Sequence, residues 1–142
     1  MTRVFVSGCY DILHGGHIEF FHQARALGDH LTVCVASDVT VRAYKGREPA
    51  LPQEHRLALI ESLRMVDFAV IGEDCDGISG TPWWADYRKW ALALRPSIIA
   101  VTEDDEHWQW KQEGGWSVVV LPKQSRYARI STTEIRERIA AK

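Results

Sequence analysis

Apolar positions recur along the chain in two alternating rhythms. Short β-branched or continuous apolar runs at Arg3–Gly8, Leu31–Ala36, Val66–Ile71, Ser97–Val101 and Trp116–Leu121 have the length and make-up of buried strands. Between them, Gly16–Leu27 sets Ile18, Phe21, Ala24 and Leu27 at helical spacing, and Gln53–Arg64 does the same with Leu57, Ile60 and Leu63. Trp83–Leu94, a short Asp105–Glu113 and a terminal Ser131–Ala140 complete the predicted helices. The polar and basic residues after the second strand, through Gly46, Pro49 and Pro52, read as a loop, and Gly72–Thr81 as a glycine-rich connection. This alternation predicts an α/β architecture: a Rossmann-like, doubly wound, five-stranded parallel sheet with helices on both faces, in one domain over residues 1–142. Ligands of such sheets bind beyond the carboxyl ends of the strands, near the point where strand order reverses. The loops after the first, second, fourth and fifth strands are therefore the places to look.

Composition narrows the function classes. A chain of 142 residues with 46% hydrophobic content buries enough surface to fold without a disulfide or structural metal. A formal net charge of -2 provides no overall basic field, so nucleic acid is not an expected partner. Cys9, Cys34 and Cys75 are an odd, widely spaced set with no zinc-type spacing, which points to reduced thiols and no protein-held metal. No apolar run approaches the roughly 20 residues of a membrane span. The sequence-level expectation is a soluble cytoplasmic protein with no membrane partner.

Two segments carry candidate chemistry. Gly8-Cys9-Tyr10-Asp11-Ile12-Leu13-His14-Gly15-Gly16-His17 joins the first strand to the first helix. Gly8 permits a tight turn, Gly15-Gly16 permits close approach to a ligand, and the first helical N–H groups favour an anion. His14 and His17, three residues apart, fall on one side of that helix start. They suit hydrogen bonding to phosphate oxygens, a metal pair, or two surface histidines, although no third ligand has a metal-like spacing. The second segment is Arg126-Tyr127-Ala128-Arg129-Ile130-Ser131-Thr132-Thr133-Glu134-Ile135. Ser131 and Glu134 fit a capping box, which by itself needs no function. The hydroxyls of Ser131, Thr132 and Thr133 at a positive helix end, with Arg126 and Arg129 just before, also suit a phosphate clamp.

The first segment resembles the G-x-F-D-x-x-H-x-G-H signature of the cytidylyltransferase-like nucleotidyltransferases, matched at Gly8, Asp11, His14, Gly16 and His17, with Tyr10 for Phe and Cys9 where many members have Thr or Val. The second is similar to that family's R-x-x-x-I-S-T-T-x-I motif, with Arg129 where glycine is usual. The family includes glycerol-3-phosphate cytidylyltransferase, the choline- and ethanolamine-phosphate enzymes, the heptose-1-phosphate adenylyltransferase domain and archaeal FAD synthetase. The resemblance implies an enzyme in which His14, His17, Lys45 and Arg126 act on the phosphates. It further implies that Gly8, Cys9, Tyr10, Asp11, Gly16, Asp38, Ile130, Ser131 and Thr132 bind the nucleotide. Glu54-His55-Arg56 and Arg64-Met65-Val66-Asp67 resemble segments that border the site and the dimer interface in relatives, so Arg56 and Arg64 join the candidate acceptor contacts and a homodimer is expected.

Where relatives carry Gly-x-Asp after the fourth strand, this chain has Thr102-Glu103-Asp104-Asp105-Glu106-His107-Trp108. The acids suit a helix N-terminus, or they reshape substrate selection through Glu103. Trp84 aligns with a tryptophan of the glycerol-3-phosphate enzymes, and Trp108 and Trp110 either line a pocket or pack in the core. The implied reaction is in-line attack of a substrate phosphate on the α-phosphate of a nucleoside triphosphate, with Mg²⁺ carried by the triphosphate and pyrophosphate released. Glu54-His55-Arg56, Trp84 and Ile130–Thr133 favour CTP with a phosphorylated alcohol, polyol or sugar. Lys45-Gly46, Leu94-Arg95-Pro96 and Leu27-Gly28-Asp29 look like the ATP-dependent heptose-1-phosphate type, and FMN is a further acceptor for ATP. A non-catalytic nucleotide sensor is the rival of another class.

Overall fold

The computed structural model describes residues 1–79, 82–106, 108–123 and 130–141, except the side chain of Trp83. Five strands, β1 (Arg3–Gly8), β2 (His30–Val35), β3 (Phe68–Ile71), β4 (Ile98–Thr102) and β5 (Val118–Leu121), form one sheet in the order β3-β2-β1-β4-β5. Every pairing is parallel. The helices are α1 (Gly15–Arg25), α2 (Asp38–Lys45), α3 (Gln53–Glu61), α4 (Arg88–Leu94), α5 (Trp108–Glu113) and α6 (Thr132–Ala140).

Strand alternation sorts the core into two layers. Val4, Val6, Leu31, Val33, Val35 and Ala100 pack on one face with Phe21 and Ala24 of α1 and Ile60 of α3. Phe5, Cys34, Val70, Ile99 and Val101 pack on the other with Tyr87, which precedes α4, Ala91 of α4 and the tryptophans of α5. The expected doubly wound α/β sheet is the fold observed, with helices on both faces. Among the described residues no helix is long and apolar enough to cross a membrane.

Element boundaries depart from the sequence pattern in several places. Residues 38–45, expected as loop, are helix α2. Val39, Thr40 and Val41 lower its intrinsic propensity, but burial of Thr40 and Val41 offsets this. Its end signals were present: Ser37 Oγ accepts the Thr40 N–H, and Gly46 closes the helix at φ 69, a conformation that suits glycine. The expected Trp83–Leu94 helix divides into a 3-10 turn, Trp83–Ala85, and α4. The third strand starts at Phe68, because the Asp67 carboxylate turns sideways to accept the Leu31 N–H at 2.8 Å and to pair with Arg25. Helix α5 starts at Trp108, after the acidic run.

Arg56 is wholly buried, against the expectation of a substrate contact. Its guanidinium donates to Leu51 O at 2.9 Å, Cys9 O at 2.8 Å, Ala36 O at 2.6 Å and Asp38 Oδ1 at 2.7 Å. It thus ties the segment before α3 to the ends of β1 and β2, and Asp38 is its ion partner there. Removing the guanidinium would orphan three carbonyls and a partly buried carboxylate. Arg56→Met is expected to lower the unfolding free energy by about 3–5 kcal/mol, as when one partner of a buried pair is deleted. Urea denaturation measures this, and a loss below ~1 kcal/mol would show that the carbonyls find other donors.

Candidate active site

The strand order runs outward from β1 in both directions, so the connections leave a crevice between the carboxyl ends of β1 and β4. A cleft of about 590 Å³ lies there. Ser7 and Gly8 end β1 on one side, and Ala100–Thr102 end β4 on the other. His14, Gly16 and His17 line it from the start of α1, and Ile130, Ser131 and Thr132 line it from the start of α6. The two distant sequence motifs therefore meet in one cavity.

The first loop is held in shape by its own side chains. His14 is the N-cap of α1: its Nδ1 accepts the Gly16 N–H at 3.1 Å, while His17 Nδ1 accepts the His14 N–H at 3.2 Å. This is a capping box made of imidazoles. A ring nitrogen that accepts a hydrogen bond carries no proton, so both neutral imidazoles hold theirs on Nε2 and remain donors through that atom. Their titration agrees. Burial, the neighbouring His14 and then Lys123 push His17 down from 6.5 to about 4, and burial followed by Lys123 lowers His14. Gly16 is required by close approach, since a Cβ there would lie 2.9 Å from His14 Cε1.

Tyr10 supports this arrangement from below. Its backbone sits at φ 49, unusual for a side-chain-bearing residue, and its ring is buried. The ring stands edge-on to His17 at 5.8 Å between centroids and against Phe21 at 5.1 Å. Cys9 lines the cleft, and burial raises its thiol pKa. Asp11 also borders the cleft, but its carboxylate is engaged within the chain: it accepts the Ala50 and Leu51 N–H groups at 2.9 and 3.0 Å and pairs with Arg136.

Lys45 and Arg47 reach the cleft from the end of α2 and the loop beyond, with Lys45 Nζ 4.6 Å above the Tyr44 ring. Ser131 caps α6 by accepting the Glu134 N–H at 3.1 Å, and Thr132 Oγ1 donates to Ile12 O at 3.2 Å. Arg126 lies outside the described residues. Several acceptor candidates do not line the cleft. Arg56 is buried in its pair with Asp38, a nucleotide-binding candidate that also does not line the cleft, and Arg64 is exposed after α3. Glu103 accepts the Lys123 N–H at 3.2 Å, while its neighbours Asp104 and Asp105 line the cleft. Trp84 stacks edge-on against Trp110 at 4.3 Å, and Trp108 packs on the core. The Arg88 guanidinium lies over the Trp110 ring at 4.8 Å.

Sequence reasoning passed over Lys123, Tyr44, Phe20 and Gln23, all of which line the cleft. Lys123 follows β5, one of the loops the fold singles out, and pairs with Asp104 at 2.5 Å. Asp105 is anchored by the buried Lys111 at 2.9 Å. Among the described residues no three His, Cys, Asp or Glu side chains are grouped to hold a metal ion. The cleft thus presents neutral imidazole donors, helix N-terminal N–H groups and lysines, a set suited to a polyphosphate.

Comparison with known proteins agrees with this chemistry. The family model described as Cytidylyltransferase-like matches residues 5–138. A Pyrococcus horikoshii protein named FAD synthase is 38% identical over 144 residues, covering 96% of this chain and 91% of that protein. A Methanothrix thermoacetophila FAD synthase is 43% identical over 111 residues, covering 76% of this chain and 69% of its own length. Three further relatives of that name match over 62% to 64% of theirs. The crystal structure of a lipopolysaccharide core biosynthesis protein from Thermoplasma volcanium superposes with a TM-score of 0.70 at 31% identity, covering 89% of this chain and 99% of that one. The chain belongs to the cytidylyltransferase-like nucleotidyltransferase family and is an enzyme of that class.

Proposed function

We propose that this enzyme transfers AMP from ATP to the phosphate of FMN, forming FAD and releasing pyrophosphate. The observation that carries it is the convergence of His14, His17 and the Ser131-Thr132 turn on one cleft, in a chain whose relatives are named FAD synthase. The relatives favour ATP with FMN over the CTP reaction toward which the sequence leans. Two residues behind that lean, Arg56 and Trp84, do not line the cleft.

A phosphate oxygen of FMN attacks the α-phosphorus of ATP in line with the bridging oxygen to the β-phosphorus. The new P–O bond forms, the bridging bond breaks, and its electrons leave with pyrophosphate. No protein nucleophile is needed, so the chain's contribution is positioning and charge stabilisation. The Nε2–H groups of His14 and His17 donate to the phosphoryl oxygens as their charge grows. Lys45 and Arg47 approach from the α2 side and Lys123 from the β5 side, offsetting the repulsion between two anionic reactants. The α6 N-terminus adds backbone donors, and Arg126 extends this set by resemblance. Mg²⁺, borne by the triphosphate, supplies further charge neutralisation.

Three outcomes test this reading. Pyrophosphate release is expected with ATP plus FMN and not with CTP plus glycerol 3-phosphate, and the reverse preference would defeat the assignment. His17→Ala is expected to lower kcat by ~10²-fold or more, as for loss of one preorganised donor, whereas near-wild-type turnover would remove the imidazoles from the mechanism. The third concerns pH. Because folding lowers the His17 pKa from 6.5 to about 4, its contribution to stability is complete above pH 6.5 and is lost as pH falls toward 4. Urea midpoints should therefore decline across that window in the wild type and less steeply in His17→Ala. Parallel slopes would contradict the buried, neutral imidazole.

A further inference from the structure

Helix α6 carries one wall of the cleft yet contains no buried residue, and Ile139 on it is 67% exposed. An apolar stripe is the usual means of fixing a helix to its domain. Here polar tethers run instead to the β1–α1 loop. Thr132 Oγ1 donates to Ile12 O at 3.2 Å, and Arg136 Nη2 pairs with Asp11 Oδ2 one turn further along. Side-chain exposure at the pair is 25% for Arg136 and 10% for Asp11. Its Nε is buried without a hydrogen-bond partner among the described residues. A half-satisfied guanidinium is a poor way to gain stability, which directs attention to geometry instead.

The carboxylate faces a second element as well. Oδ2 also accepts the Ala50 N–H at 2.9 Å, and Oδ1 accepts the Leu51 N–H at 3.0 Å. Those amides end the loop that begins with Lys45 and Arg47. Asp11 is thus shared by three parts of the cleft: the loop with the two imidazoles, the segment behind the cationic side chains, and α6 with its hydroxyls. Burial pushes its pKa up, but the two N–H groups and Arg136 outweigh that and hold it below the ordinary value.

We propose that Arg136 is a positioning residue whose pair with Asp11 docks the start of α6 onto the β1–α1 loop, so that Ser131 and Thr132 face the same polyphosphate as His14 and His17. The proposal rests on the nucleotidyltransferase activity with ATP as donor, but on no particular acceptor. The guanidinium acts through Asp11 and α6, and contact with a phosphate is not required of it.

The test combines hydrogen exchange with kinetics in Arg136→Met, Arg136→Lys, Asp11→Asn and the Asp11→Asn/Arg136→Met double variant. In ligand-free Arg136→Met, the α6 amides should exchange about tenfold faster than in the wild type while the β1 and β2 amides keep their protection, because α6 opens locally without unfolding the sheet. KM for ATP should rise roughly tenfold, by more than kcat falls, with KM for FMN little changed. Arg136→Lys should recover part of both effects. The double variant should lose little beyond the worse single variant, as expected for two residues that act as a unit. Unchanged α6 exchange in Arg136→Met overturns the proposal, as do additive losses in the double variant. If Arg136→Met unfolds globally, exchange in Arg136→Lys decides the matter in the same sense. If the wild type does not use ATP, the proposed reaction fails, yet the exchange experiment contains no nucleotide and still decides the docking role.

Discussion

Helix α1 begins over a gap that exists because the chain builds its sheet outward from β1 in both directions. That reversal leaves the carboxyl ends of β1 and β4 side by side with no connection crossing between them, and the start of α1 borders the open space. The proposed reaction needs groups in that space that tolerate, and attract, several negative charges. Imidazoles serve because their Nδ1 atoms are used on the backbone and their Nε2 protons are retained. Lysines arrive from either side, Lys45 from the end of α2 and Lys123 from the segment after β5.

Rigidity at the cleft comes from groups that need not touch a ligand. Arg56 joins four oxygens from separate segments beneath the floor, Asp11 joins three segments at the rim, and Lys111 orients Asp105 from α5. Each is a charged residue whose partners lie elsewhere in the chain. Such groups lose hydration on burial and retain their charge only because matched donors or acceptors meet them there. The reactive surface and its support are therefore built from the same residue types.

That sharing sets the limit of what the sequence discloses. The strands were legible because burial on both faces leaves continuous apolar runs, and α1 because its apolar positions follow a helical period and a glycine pair marks its start. The two motifs that meet at the cleft were legible because their chemistry is local: ring, hydroxyl and helix end lie within a few residues. Arg56 and Asp38 were not, since a guanidinium facing carbonyls inside the fold is spelled the same way as one facing a substrate. Trp108 and Trp110 were ambiguous for a related reason, because a large amphipathic ring suits a pocket wall and a second core layer equally. Helix α2 was hidden by β-branched residues whose cost tertiary burial overrides, and Lys123 by being one ordinary lysine after a strand whose place in the sheet had yet to be known.

Tyr10 occupies a position with two incompatible demands. Its backbone conformation is one that glycine adopts freely and tyrosine does not, while its ring is the surface on which His17 rests. Glycine would relax the main chain and leave a void under the imidazole, and a β-branched residue would fill the void poorly and strain the main chain further. Any gain in foldability made here would come at the expense of a well-placed hydrogen-bond donor, so this site should resist both drift and stabilising redesign more strongly than its burial alone suggests.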